Sequence, residues 1–517
     1  MKKIICLLLC ALFVLPLAAC GQASSEPDYW NSDGKILPNE NAEGEYDRAL
    51  YPDEEYLEIT ENRSVKVSDN SLITFSLKVD TASYRNVARY IENGNLPPKD
   101  AVRIEEMINY FSYDEILPEN RTPFSIYAEL GNSPFDPESY LAFVRVKSKE
   151  IDKSELPASS LTFLIDTSGS MDSYDKLPLL KSAFSLLVEN LTENDMVSIV
   201  TYAGKAGVLL DGVRGDRKTE IISAIDELSA GGSTAGAEGI NTAYRLAEKN
   251  FKKNGNNRII LATDGDFNVG VSSVRELERL MSDKRDSGVY MTILGFGTEN
   301  LKDNKMETIA KNGNGNYHYI DSVAAAKKAL VDELGANLFT IADDVKAQVE
   351  FNPALVGAYR LIGYENSMLK NKDFENDRKD AGEIGIGTDV VLMFELELNE
   401  ISKPALKYQS TSLSPLSSGQ YSDELFEVRI RYKNPGENES LLITHPVKTD
   451  RIYDFNSSDF VFAASVAGFG QLLRSSEYTD GFTADDALAM AMDAMGKDRN
   501  GYRKEFVELV KKYQRIR

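Results

Sequence analysis

Cysteine is nearly missing from this 517-residue chain, and the three present (Cys6, Cys10 and Cys20) all fall within its first twenty residues. No disulfide is possible beyond them, so the fold has to rest on its own apolar cores. Histidine is scarcer still, with His318 and His445 the whole supply. Neither lies near a candidate nucleophile or a second ligand, which leaves histidine-based zinc sites and Ser-His triads without material. Basic charge is also short. With 58 Lys and Arg against 81 Asp and Glu, the net charge is −23. That is the wrong sign for neutralising a phosphate backbone, and it excludes nucleic acid as a partner. No Gly-x-x-x-x-Gly-Lys-Ser/Thr loop and no Gly-x-Ser-x-Gly elbow occurs. Asp166-Thr167-Ser168-Gly169 carries one residue too many for an aspartic-protease turn, and a second copy is missing. What remains, 42% hydrophobic and 27% charged residues, fits a globular protein of several domains.

The N-terminus reads differently from the rest. Lys2 and Lys3 precede an apolar run from Ile4 to Leu17 that is too short to span a bilayer and ends in small residues, as an export signal does. Leu17-Ala18-Ala19-Cys20 resembles the lipobox of bacterial lipoproteins, in which the peptide is cut before the cysteine and its sulfur carries a diacylglycerol. The resemblance implies residues 1–19 as a leader and Cys20 as the lipidation site. It places the chain on the extracytoplasmic face of a cell membrane, touching that membrane through its anchor only. Competing readings are an ordinary signal peptide cleaved after Ala19 and a buried apolar helix. Two or more acyl chains anchor stably, at about 0.8 kcal/mol per buried CH₂. From Gly21 to Asn62 there are 12 Asp and Glu against two Lys and Arg. Residues 20–62 are therefore expected to form an acidic tether, the alternative being a partly docked strap held by Trp30 and the scattered tyrosines.

Residues 63–156 read as a small α+β unit. A strand over Thr74–Val79 is followed by helical spacing of Ala101, Ile104, Ile108 and Phe111, then by two strands over Phe124–Leu130 and Tyr140–Lys147. Residues 157–340 alternate strictly between strand and helix. Leu161 to Ile165 form a continuous apolar run, as a strand covered on both faces should. Met196–Tyr202, Arg258–Thr263 and Val289–Gly295 repeat that texture. Leu180, Ala183, Phe184, Leu187 and Leu191 mark one helix face; Ile240, Ala243, Tyr244, Ala247 and Phe251 mark another. The expected fold is α/β, a doubly wound, mainly parallel sheet. Residues 341–456 return to strands, with Phe426, Val428, Ile430 and Tyr432 alternating against Glu427, Arg429 and Arg431. Residues 457–517 look helical. The strands on either side of the α/β segment are expected to share one body into which that segment is inserted.

Chemistry concentrates at two strand ends. Asp166-Thr167-Ser168-Gly169-Ser170 follows the first buried strand, and Asp264 ends another. The carboxyl ends of parallel strands share one sheet edge, where ligands bind, so two carboxylates and two hydroxyls converge there. Gly231-Gly232-Ser233-Thr234 allows a tight backbone path that brings Thr234 to the same edge. An all-oxygen set suits a hard cation: Mg²⁺, or Mn²⁺ or Ca²⁺. If the hydroxyls of Ser168, Ser170 and Thr234 bind directly while the aspartates act through water, the direct ligands are neutral. The ion then stays electrophilic and accepts a carboxylate from outside. Asp266 and Asn268 read as solvated surface rather than ligands.

At these residues the chain resembles the von Willebrand factor A domain, whose metal-ion-dependent adhesion site is Asp-x-Ser-x-Ser, then Thr, then Asp. Asp166, Ser168, Ser170, Thr234 and Asp264 match in that order. The stretches Thr74–Tyr84, Leu96–Glu106, Tyr359–Asn366 and Asp380–Gly385 look like those of a widespread group of bacterial A-domain lipoproteins. The resemblance implies a module that grips an acidic side chain of a protein partner and has no catalytic residues. Two other readings stay open, a structural envelope subunit braced by the cation and a metal-assisted hydrolase, though the five positions nominate no base for the latter.

Overall fold

The computed structural model describes residues 51–114, 122–152, 155–203, 205–232, 236–265, 273–284, 287–399, 421–479 and 481–517. Cys20, Trp30, Thr234, Asp266 and Asn268 lie outside them.

Six strands form the central sheet of the α/β segment, in the order Tyr317–Ile320, Tyr290–Phe296, Asn256–Thr263, Ser159–Asp166, Met196–Tyr202 and Ala206–Arg214. All neighbours are parallel except the last pair. Every residue of Ser159–Asp166 is buried, as its unbroken apolar run requires. Its side chains alternate between two cores. Phe163 and Ile165 pack with Leu180, Phe184 and Leu187 from the helix Leu177–Glu189, with the Phe163 and Phe184 rings stacked 4.3 Å apart. Leu164 faces the other way, toward Ile240 and Tyr244 of the helix Gly236–Lys249. The mainly parallel, doubly wound sheet expected from the alternation is present.

The flanking regions interleave. Leu72–Ser76 pairs with Thr340–Phe351 (Gln348 opposite Thr74), and Tyr140–Ser148 pairs with Asp389–Leu398 (Leu392 opposite Val144). Strands before and after the α/β segment thus hydrogen-bond to each other in two antiparallel sheets, as expected for an insertion. Because successive side chains point to opposite faces, Ala142, Val144 and Val146 join a core between the sheets with Phe351, Val428 and Ile430. Leu141, Phe143 and Met393 face a helical layer. That layer is built from Ala82–Glu92, Ile104–Asn109, Ser458–Arg474, Ala484–Asp493 and Tyr502–Ile516. Ser457 starts the longest of these as an N-cap whose hydroxyl accepts from the Phe460 amide at 3.1 Å. The spacing from Ala101 to Phe111 overstated its helix, which runs only from Ile104 to Asn109 after a 3₁₀ turn at Lys99–Ala101. Among the described residues, no helix is long and apolar enough to cross a membrane.

The acidic tether expected over residues 20–62 needs correction where it is described. Residues 51–62 are docked. The Glu55 amide donates to the Leu301 carbonyl at 3.0 Å, and its carbonyl accepts from the Asn304 amide at 3.1 Å. The Glu54 side chain is 1% exposed, with Arg89 on both its oxygens at 2.7 and 2.8 Å, the hydroxyls of Tyr56 and Tyr90 at 2.6 Å each, and the Glu299 amide at 3.1 Å. Burial alone would raise its carboxyl, but Arg89 and the tyrosine hydroxyls hold it below the usual range. A count of charges could not show this, because the partner cation lies on another element. Glu54→Ala is expected to cost roughly 3–5 kcal/mol in urea unfolding, since Arg89 stays buried without its carboxylate. A loss below about 1 kcal/mol would contradict that account.

Candidate metal centre

Asp166 is the last residue of the central strand, and Thr263-Asp264 ends the neighbouring one. Both carboxylates are completely buried. Register brings them together, since Ile165 pairs with Ala262 in the parallel ladder. One Asp166 oxygen accepts from the Ser168 amide at 2.9 Å and the other from the Thr263 hydroxyl at 3.1 Å. The Ser168 and Ser170 hydroxyls lie 3.0 Å apart, Ser168 buried and Ser170 at the rim. Four of the five expected residues therefore meet at one sheet edge.

Backbone hydrogen bonds lock the turn in place. The Thr167 amide donates to the Tyr202 carbonyl at 3.0 Å, the Gly231 amide to the Thr167 carbonyl at 2.8 Å, and the Gly169 amide to the Gly232 carbonyl at 3.1 Å. Gly232 has φ +87°, a left-handed conformation that glycine adopts without strain. The glycine pair thus carries its loop against the Asp166 turn, two residues short of Thr234.

Burial pushes the Asp166 carboxyl up to about 7, and the nearby Asp264 adds to the rise; the hydrogen bonds from Ser168 and Thr263 work against it. Two like charges out of water make this edge one that gains from a cation. The donor set fits a hard divalent ion, being all oxygen and mixing hydroxyls with carboxylates. Among the described residues, no group of three or more His, Cys, Asp or Glu side chains could hold a metal. The histidines lie elsewhere. His318 is buried with Nδ1 2.9 Å from the Thr81 hydroxyl, and burial lowers its pKa to about 4. His445 lies on the outer strand Ser440–Lys448.

Two residues at the site had no signal in the sequence. Lys176 Nζ donates to an Asp264 oxygen at 3.0 Å and to the Asn300 amide oxygen at 2.8 Å, and Asn300 Nδ2 donates to the same Asp264 oxygen at 3.1 Å. Both come from loops without periodicity, so only the folded path shows where their ends point. Gly265, at φ +83°, lets the Asp264 turn approach the Lys302 loop; a Cβ there would fall 2.9 Å from Lys302 Cβ.

Three family descriptions match the chain. "Von Willebrand factor" covers residues 51–142, "von Willebrand factor type A domain" covers 160–333, and "Uncharacterized protein YfbK, C-terminal" covers 336–516. The protein named "Uncharacterized protein YfbK" of Escherichia coli K12 is 44% identical over 462 residues, spanning 88% of this chain and 80% of that protein. "Uncharacterized protein sll0103" of Synechocystis is 28% identical over 183 residues, 35% of this chain and 42% of that protein. Among solved structures, the "von Willebrand factor type A from Catenulispora acidiphila" covers 75% of this chain and 91% of its own, at TM-score 0.43 and 15% identity.

Proposed function

Because the chain belongs to the YfbK family of von Willebrand factor A domain proteins, we propose that it is a membrane-anchored binding protein that holds an acidic side chain of a protein partner through a divalent cation. A von Willebrand factor type A domain points to protein–protein interaction or adhesion. The cation, the anchor and the acidic ligand are the further steps. The observation that carries the metal step is the pair of completely buried carboxylates, Asp166 and Asp264, set beside the Ser168 and Ser170 hydroxyls at one sheet edge. Asp166, Ser168, Ser170, Thr234 and Asp264 would hold Mg²⁺, or Mn²⁺ or Ca²⁺. A bound ion supplies positive charge that its hydroxyl ligands leave uncancelled, which favours an external carboxylate. Binding rather than catalysis is the better reading, since a von Willebrand factor type A domain points to protein–protein interaction and the two buried carboxylates are taken up by the proposed cation.

The test is partner capture from intact cells in Mg²⁺ or in EDTA. Wild type is expected to retain a partner in Mg²⁺ only, and Ser168→Ala in neither condition, at equal thermal stability. If instead Ser168→Ala is less stable than wild type even in EDTA and capture falls only in proportion to that loss, these residues brace the fold and the envelope-subunit reading takes over. For the anchor, Cys20→Ala is expected to move the chain from the membrane fraction to the soluble fraction. Continued membrane association of that variant would sink the lipidation proposal.

A further inference from the structure

Lys176 stands immediately before the helix Leu177–Glu189, yet it is only 6% exposed. Lysines are rarely buried unless an opposite charge receives them. Here that charge is Asp264, with Nζ 3.0 Å from its carboxylate and 2.8 Å from the Asn300 oxygen. Its stem passes over Gly297, which has φ +85°; a Cβ there would lie 2.1 Å from Lys176 Cε. The chain therefore provides a path for this side chain to reach the floor of the site.

Charge counting shows what the ammonium does. Asp166 and Asp264 in ionised form carry two negative charges, and Lys176 returns one. With a divalent ion added, the site holds one surplus positive charge; without Lys176 it would be neutral. We infer that Lys176 is a resident positive charge that weakens the site's hold on a divalent cation and keeps the loaded site positive, so that a carboxylate ligand completes the neutralisation. This inference rests on the metal reading proposed above and deepens it. The structural alternative, that Lys176 only neutralises Asp264, predicts lost stability on its removal and no gain in cation affinity.

Mn²⁺ titrations of the purified full chain, with free ion read by electron paramagnetic resonance, separate these readings. Lys176→Met and Lys176→Gln both remove the charge, and Gln keeps a hydrogen-bond donor for Asp264 should the Met variant fail to fold. Both are expected to bind Mn²⁺ on the order of tenfold more tightly than wild type, because a like charge beside the ion is gone. Acetate at constant ionic strength is expected to raise Mn²⁺ affinity in wild type and much less in either variant. Wild-type uptake with unchanged or weaker binding in folded variants overturns this inference and leaves the metal reading standing. No uptake by any of the three overturns both. Uptake by the variants alone would mean that Lys176 keeps the ion out altogether, and overturns both the loaded-site inference and the reading of wild type as a metal-loaded binder.

Discussion

Asp166→Asn is expected to abolish divalent uptake and yet to raise the thermal midpoint in EDTA at pH 8. The two effects share one cause. Asp166 is buried beside Asp264, so its folded-state pKa is raised to about 7, well above the ordinary carboxylate value of 3.8. A carboxyl raised in this way contributes stability in its protonated form. That contribution is fully present below 3.8, declines as pH rises, and is lost above about 7. At about 1.4 kcal/mol per pH unit, ionising Asp166 costs the metal-free fold roughly 4 kcal/mol. Asn carries no charge and can still accept from Ser168, but it asks the Thr263 hydroxyl to accept instead of donate. The expected net gain is on the order of 1–3 kcal/mol at pH 8, shrinking to nothing near pH 4. Saturating Mg²⁺ should restore the wild type, by about 2.7 kcal/mol at a hundredfold excess over Kd, and leave the variant unmoved. Calorimetric titration and thermal melts at pH 8 and pH 4, with and without Mg²⁺, provide the check. A large drop in midpoint in EDTA, or retained Mg²⁺ uptake, would count against this account of the site.

Arg103→Met is expected to be among the most damaging single changes to stability, at roughly 3–5 kcal/mol or more. Arg103 is 2% exposed and ties two parts of the molecule together. It donates to Asp303 at 2.6 and 3.2 Å and to Glu106 at 2.5 and 3.3 Å, and its nearest approach to Glu307 is 3.8 Å. Asp303 begins a helix of the inserted domain, whereas Glu106 belongs to the helical layer of the flanking body. Burial pushes Glu106 up to about 8 even with Arg103 working against it, and burial also raises Glu307. Methionine would fill similar volume and leave three carboxylates facing one another. Folded-state pKa values raised further mean that protons restore stability at low pH and lose it as pH rises. The deficit in urea unfolding should therefore be larger at pH 8 than at pH 5. Separate transitions for the inserted domain and the flanking body are expected at pH 8. A single wild-type-like transition at both pH values would show that this network does not join them.

The sheet edge was legible because its logic is local. Short apolar runs that alternate with helical segments read as covered strands, parallel strands end on one side, and Asp166, Ser168, Ser170 and Asp264 follow such runs directly. Strand texture also placed strands over Phe124–Leu130 and Tyr140–Lys147, which run Phe124–Asn132 and Tyr140–Ser148. It failed for residues 51–62, where composition argued for a free tether. Glu54 is charged, but Arg89, Tyr56 and Tyr90 form a cage around it, and a cage assembled across separate segments leaves no mark on local composition.

By itself, the sequence determined the alternation, the strand ends and the oxygen-bearing residues they carry, because periodicity and turn chemistry act between near neighbours. Tertiary structure alone decided that Lys176 and Asn300 reach Asp264, that Arg103 joins two bodies, and that strands more than 250 residues apart pair (Gln348 with Thr74). Those outcomes turn on where a long side chain or a distant strand finds its partner, and burial and charge settle that only once the whole chain has closed around them.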